Sequence, residues 1–254
     1  YDQPLGIIVG TNREVVNEAA KLVEVTYVLP DTEPLLTSRQ ILQQGRKDRI
    51  RYYKTLQPSR KGNDVKHVIK GTVDLYHQYH FHMETHCCQV VPNEDGLVVY
   101  SSTQWMDVIQ IAIAKMLNIP QHRVEVIIRR CGGAFGAKIT RATLIACAAA
   151  LVAWKLKKPV RMWLELKPNM SAIGKRYPFS ADYEVGVNDS GVIQYLKSSL
   201  YRDTGYQFDE DTTFLLEGML KTMYMSETFL IDINYTLTDT HVNTWMRGPG
   251  KPVF

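Results

Sequence analysis

The sequence predicts a mixed α+β (α/β) architecture, on three observations. Short apolar runs bounded by turn residues alternate with stretches whose apolar residues recur at helical spacing. One strand-like run, "RVEVIIRR", passes through a glycine-rich loop, Arg129 to Lys138, directly into a long apolar helix. Two extended runs, "FSADYEVGV" and "VIQYLKSSLYRD", are joined by Asn188-Asp189-Ser190-Gly191, which is hairpin chemistry.

Taken in order, "LGIIVG" (Leu5 to Gly10) reads as a strand. The segment after it reads as a helix capped by Thr11 or Asn12, with Glu14 in its first turn and Val15, Val16, Ala19, Leu22 and Val23 at helical spacing. A strand through Val25 to Leu29 follows. From Pro30 to about Asp64 the pattern dissolves into polar, basic, proline-containing sequence, with a helical hint only at Ile41 to Gln44, so residues 33–64 are expected to be a linker. "VKHVIKGTVDLYHQYHFHMETH" reads as extended and "GLVVYSSTQ" as a strand ending in a polar turn. "MDVIQIAIAKMLNIP" reads as a helix burying Val108, Ile109, Ala112, Ile113, Met116 and Leu117, and stopped by Pro120. Beyond the glycine loop, "TRATLIACAAALVAWKLKKP" is a helix finished by lysines and Pro159, and "VRMWLEL" is a strand. Residues 207–225 read as a helix with a ragged start, its Met219, Met223, Tyr224 and Met225 packing inward, and "FLIDINYTLTDTHVNTW" as strand-like to its end.

Several function classes are disfavoured. A chain of 254 residues, 45% hydrophobic, can bury a substantial core. Its formal charge of +4 is interspersed with acidic residues rather than gathered, so no nucleic-acid partner is expected. Cys87, Cys88, Cys131 and Cys147 form no C-x-x-C pair and no disulfide framework. The longest uncharged apolar stretch, Leu144 to Ala153, is far short of the roughly 20 residues a bilayer span needs. A soluble, cytoplasmic protein without a membrane partner is the expectation. Because the chain starts at Tyr1 and stops at Phe254 after "MRGPGKPVF", it is expected to be a piece of something longer.

The loop "RRCGGAFGAK" carries the chemistry. Glycines between a strand and a helix let another group approach the backbone and leave the first helical N–H groups open to an anion or cofactor. Gly132, Gly133 and Gly136 do not satisfy G-x-G-x-x-G. The phosphate loop G-x-x-x-x-G-K-[ST] fails because Ala137 stands at its second glycine and Ile139 follows Lys138. The alternative is a tight turn whose glycines only supply positive φ.

Read together, "CGGAFGAK" at Cys131 to Lys138, "SSTQ" at Ser101 to Gln104, "HFHMETH" at His80 to His86 and "NTWMRGPG" at Asn243 to Gly250 stand in the order and spacing of one family. The chain resembles the molybdenum hydroxylases of the xanthine dehydrogenase and aldehyde oxidase family. It is similar to the first part of their molybdopterin-binding region, and most like the insect-type aldehyde oxidases. The resemblance implies that residues 1–32 are the C-terminal part of an α/β hammerhead domain and that 65–254 are an incomplete cofactor-binding domain. It also implies a molybdenum-molybdopterin cofactor here, with FAD and 2Fe-2S clusters elsewhere in a homodimeric full-length protein.

Residue by residue, the resemblance makes Gln104 the donor to an oxygen ligand of the metal. It places Gly133, Ala134, Phe135 and Gly136 on the loop lying against the metal ligands and the pterin, where side chains would occupy the cofactor's space. Arg247 becomes the arginine beside the same ligands. Gln104, Phe135 and Arg247 are therefore the residues expected near molybdenum. Ile139 and Leu215 stand where purine-oxidising members carry a glutamate and an arginine, and Pro249 replaces a stacking aromatic, so the implied substrate is an aldehyde with an apolar body. The base, a glutamate, is expected beyond residue 254, which makes this stretch inert alone. A purine hydroxylase of the xanthine dehydrogenase type is the alternative within the family.

A rival reading starts from "HQYHFHMETHCC". On a strand, His80, His82, Glu84 and His86 would share one face, a zinc or copper constellation by residue type. Alternate side chains on extended backbone lie roughly 6.5–7 Å apart, however, too far to converge on one ion. Glu165, Glu184, Asp203, Asp209, Glu210 and Asp211 invite a paired-carboxylate hydrolase, but their hairpin and loop positions predict solvated charge.

Overall fold

The computed structural model describes residues 3–211, 215, 218, 224 and 227–249. The chain divides into two compact units, the first made of residues 1–33, 82–134 and 138–172, the second of 34–81, 135–137 and 173–254.

In the first unit, α1 (Arg13–Lys21) starts where the Asn12 side chain accepts the Glu14 N–H. A four-stranded sheet has the order β5-β4-β3-β6, from β3 (Cys87–Pro92), β4 (Leu97–Ser101), β5 (Val124–Ile127) and β6 (Val160–Trp163). Strands β4 and β5 run parallel, with α3 (Met106–Leu117) as the crossover between them. Asn118, in the left-handed region at φ +53, ends α3 two residues before Pro120. The glycine loop leads into α4 (Ala142–Leu156), which buries Ala142, Ile145, Ala146, Ala149, Ala150 and Ala153. Those positions recur at three and four residues, and their small side chains let the helix lie close to the sheet. They join Val90, Leu97, Val99, Ile109 and Ile113 in one core. A short helix, α5 (Leu166–Ala172), closes the unit.

The second unit is built on a five-stranded sheet of order β1-β9-β8-β7-β2, from β1 (Ile50–Leu56), β2 (His67–Leu75), β7 (Phe179–Val187), β8 (Ile193–Asp203) and β9 (Phe229–Thr236). Strands β7 and β8 form the expected hairpin, with Gly191 at φ +77 in the turn. The helix α2 (Ser38–Gln43) begins with a capping box between Thr37 and Gln40. Phe179, Ala181, Leu200, Ile231 and Ile233 form this unit's core.

The mixed α+β class is as read from the sequence, but several local expectations are corrected. Leu5 to Gly10 and Val25 to Leu29 are not strands. No neighbouring strand among the described residues pairs with them, and an apolar run without a hydrogen-bonding partner does not become a strand. The stretch 33–64 is not a structureless linker, because it holds α2 and the edge strand β1, whose half-polar sequence suits a strand that pairs on one side only. The extended run after Val65 stops at Leu75, α5 was not foreseen, and the final strand ends at Thr236. The expected helix over 207–225 lies largely outside the described residues, as do Met219, Met223, Met225 and Gly250. Tyr224 is exposed rather than packed inward.

Candidate functional site

Three of the four sequence motifs meet in the first unit. Lys138 is fully buried, and its Nζ donates to Glu84 Oε2 at 2.7 Å and to Ser102 Oγ at 2.8 Å. The same Glu84 oxygen accepts the Gly132 N–H at 2.9 Å and a short bond from the Ser102 hydroxyl. The Glu84 N–H returns the contact by donating to the Gly132 carbonyl at 3.0 Å. Partial burial would push the Glu84 carboxyl up. The donors Lys138, Ser102 and Gly132 overcome it and hold the carboxyl at about 2, so it is ionised at neutral pH. This half-buried pair and its hydroxyl pin the start and the end of the glycine loop, since Gly132 and Lys138 both bind one carboxylate.

Gln104 closes the polar turn after β4. Its main-chain N–H donates to the Lys138 carbonyl at 2.9 Å, a carbonyl that also accepts the Thr103 hydroxyl at 3.0 Å. Its side-chain Oε1 accepts the Lys138 N–H at 3.4 Å. The acceptor end of the amide thus faces the loop while the residue is exposed.

In the second unit, Phe135 has φ +51 and is 44% exposed, and its carbonyl accepts the Arg247 N–H at 2.8 Å. Gly136 is buried at φ +103. A methyl group there would lie 2.8 Å from the Trp245 carbonyl oxygen. That carbonyl also takes a short hydrogen bond from His80 Nε2, and the Trp245 indole N–H makes a short bond to Glu210. Thr244 Oγ1 donates to Asp209 at 2.8 Å, and Tyr235 Oη to Asp211 at 3.1 Å. Arg247 itself is exposed.

These contacts change the reason for the glycines. Methyl groups at Gly132 and Gly133 would lie 2.7 and 3.2 Å from the Cβ atoms of Glu84 and His82, and Gly133 has φ +94. Protein packing and backbone conformation are by themselves enough to require glycine at these positions. Of the other residues singled out, Ala134 is buried, Ile139 is half-buried in the first unit, and Leu215 and Pro249 are half-buried in the second.

The zinc or copper reading is overturned. Among the described residues no group of three His, Cys, Asp or Glu side chains is placed to hold a metal ion. Phe81 at φ +52 breaks the extended run, and each histidine is engaged by protein instead. His82 Nδ1 donates to the Glu84 carbonyl at 2.6 Å, and His86 Nδ1 to Asn169 Oδ1 at 2.8 Å. Three of the acidic residues are also corrected: Asp203 is fully buried, and Asp209 and Glu210 are half-buried anchors rather than solvated charges, whereas Asp211 is exposed as expected while accepting the Tyr235 hydroxyl. Sequence reasoning missed these anchors because their partners lie 24 to 35 residues away.

The model of the molybdopterin cofactor-binding domain matches residues 46–254. The chain belongs to that family. Indole-3-acetaldehyde oxidase of Zea mays is 35% identical across 98% of this chain, and nicotinate hydroxylase of Emericella nidulans is 31% identical across 99%. Xanthine dehydrogenase of Dictyostelium discoideum is 32% identical across 99%. The chain spans only 19% of the length of each of these relatives. Among solved structures, the fold resembles aldehyde oxidoreductase of Desulfovibrio gigas, with a TM-score of 0.76 at 18% identity over 95% of this chain and 28% of that one. Quinoline 2-oxidoreductase of Pseudomonas putida 86 gives 0.77 at 16% identity, over 94% of this chain and 32% of that one.

The residues present in this cofactor-binding domain fit such a group by their chemistry. Gln104 and Arg247 are exposed, donor-bearing and not acidic, as an anionic group with oxygen ligands requires. The peptides that carry Gln104, Phe135 and Arg247 are each tied to protein by the bonds above.

Proposed function

We propose that this protein is part of a molybdenum hydroxylase that oxidises aldehydes to carboxylic acids. In this reading water is the oxygen source and electrons pass through 2Fe-2S clusters and FAD to oxygen, in a cytoplasmic homodimer. Residues 1–32 would close a preceding α/β hammerhead domain. The match to the cofactor-binding family over residues 46–254 supports the reading most, because it takes in Gln104, the whole glycine loop and Arg247.

Within that reading, bound molybdenum-molybdopterin supplies the two-electron chemistry that no side chain can. Gln104 would offer amide N–H donors to an oxygen ligand, since its Oε1 is engaged by the Lys138 N–H. Arg247 would set a fixed fork of positive donors beside the same ligands. Gly133, Ala134, Phe135 and Gly136 would lay main chain against the cofactor. Ile139, Leu215 and Pro249 would line the substrate side, where apolar surface favours the body of an aldehyde over a purine that needs hydrogen-bond partners.

The test is metal and pterin analysis of the full-length protein, followed by turnover with an aromatic aldehyde and with a purine in oxygen-18 water. Molybdenum and pterin at one per chain, with label entering the carboxylic acid, is the expected result. Absence of molybdenum sinks the reading, and faster turnover of the purine moves it to the xanthine dehydrogenase type.

A further inference from the structure

We propose that Arg176 is a positioning residue for Arg247, its guanidinium holding the main chain of the turn from which the Arg247 side chain projects. The inference rests on the reading above for what Arg247 does, but the clamp itself is a matter of geometry within the second unit. Arg176 Nη2 donates to the Arg247 carbonyl at 2.9 Å and Nη1 to the Gly248 carbonyl at 3.0 Å. The planar fork therefore spans two consecutive peptide oxygens. Nε donates to Gln78 Oε1 at 2.9 Å, which fixes the rotation of the guanidinium plane. The Arg176 main-chain N–H donates to the Gln78 carbonyl at 3.0 Å, and Arg176 forms a parallel bridge with Thr244. With its N–H on the Phe135 carbonyl at 2.8 Å, Arg247 has both its N–H and its carbonyl tied.

The arrangement solves a specific problem. Gly248 sits at φ +68, so the chain turns sharply immediately after Arg247. A turn of that kind leaves two carbonyls on one side with no ladder partner, and they need donors. A lysine offers one point charge and could satisfy only one of them well, whereas the guanidinium satisfies both and fixes their spacing. Arg176 touches neither cofactor nor substrate in this proposal. It acts by restricting where Arg247 can reach, and a small displacement at a reacting centre costs much more in rate than in binding.

The test uses the full-length protein with Arg176→Met, Arg176→Lys and, as a reference, Arg247→Met. Three quantities are read: amide hydrogen exchange in the peptide covering residues 245–249, molybdopterin content, and kcat and KM for an aldehyde. In Arg176→Met, exchange in that peptide should rise roughly tenfold or more while other segments keep their rates. Cofactor content should hold, kcat should fall roughly 10–100-fold, and KM should change by less than about threefold. Arg176→Lys should recover little of the loss. Unchanged exchange overturns the clamp, and so does activity that falls only in proportion to lost cofactor. Exchange that rises while kcat stays normal overturns the positioning role. If Arg176→Met does not fold, Gln78→Ala, which removes only the partner of Nε, should give the same ordering more weakly. A wild-type protein without molybdopterin would defeat the proposed function, and the exchange measurement would still decide the clamp.

Discussion

Asp203 offers a clean perturbation, because it combines complete burial with incomplete hydrogen bonding. It ends β8, and its Oδ1 accepts the Gly205 N–H at 2.8 Å and the Thr238 hydroxyl at 2.7 Å. Oδ2 finds no partner among the described residues. Burial pushes the carboxyl from its ordinary 3.8 up to about 6, against the pull of those two donors. A rise of about 2 units corresponds to ~3 kcal/mol that the ionised form costs the folded state. Since the folded state holds this proton more tightly than the unfolded chain, stability falls as pH rises from 3.8 to about 6 and the full cost is present above that. Asp203→Asn keeps the Oδ1 acceptor and removes the charge. Its NH₂ group replaces the unpartnered oxygen at a cost of about 1–3 kcal/mol, but that cost does not depend on pH. Urea unfolding of both proteins from about pH 4 to about pH 7 should therefore give a variant-minus-wild-type difference that climbs by ~3 kcal/mol in favour of the variant. A flat difference, or one that falls with pH, would refute the account of Asp203 as a buried carboxylate raised by desolvation.

Two further outcomes follow from the loop. Glu84 is depressed to about 2 from its ordinary 4.5, so its stabilisation is complete above 4.5 and is lost as pH falls through 2. Lys138→Met should cost about 2–3 kcal/mol, at the low end for a buried pair because the Glu84 side chain is 35% exposed, and acid titration of its stability should lose that dependence. Gly136→Ala places a methyl 2.8 Å from the Trp245 carbonyl oxygen at φ +103. It should lower the urea midpoint by about 1–3 kcal/mol equivalent, and an unchanged midpoint would mean that the loop is not packed as described.

How much was legible depended on how local the cause was. The helices α3 and α4 and the β7–β8 hairpin were readable because Pro120, the Ala142–Ala153 periodicity, the lysines and Pro159 after it, and Asn188–Gly191 act within a few residues of themselves. Strand β1 was invisible because its pairing partner, β9, lies nearly two hundred residues later, and a polar edge strand has no period of its own. Leu5 to Gly10 failed in the opposite sense, an apolar run whose pattern promised a strand that has no partner among the described residues.

For the site, the order of the four motifs identified the family before any coordinate did, and Gln104, Phe135 and Arg247 were named from it. The sequence could not reveal what holds them. Glu84 read as one member of a metal constellation and Lys138 as the tail of a loop, yet folding buries the Lys138 ammonium against the Glu84 carboxylate and so fixes the glycine loop. Arg176, Asp209 and Glu210 likewise carried no local signal. Composition and spacing determine which chemical groups a chain owns and which short elements form, because those forces act between near neighbours. Which carboxylate meets which ammonium, and which peptide is tied down, depends on contacts across 35 to 71 residues of chain, and only tertiary packing brings those together.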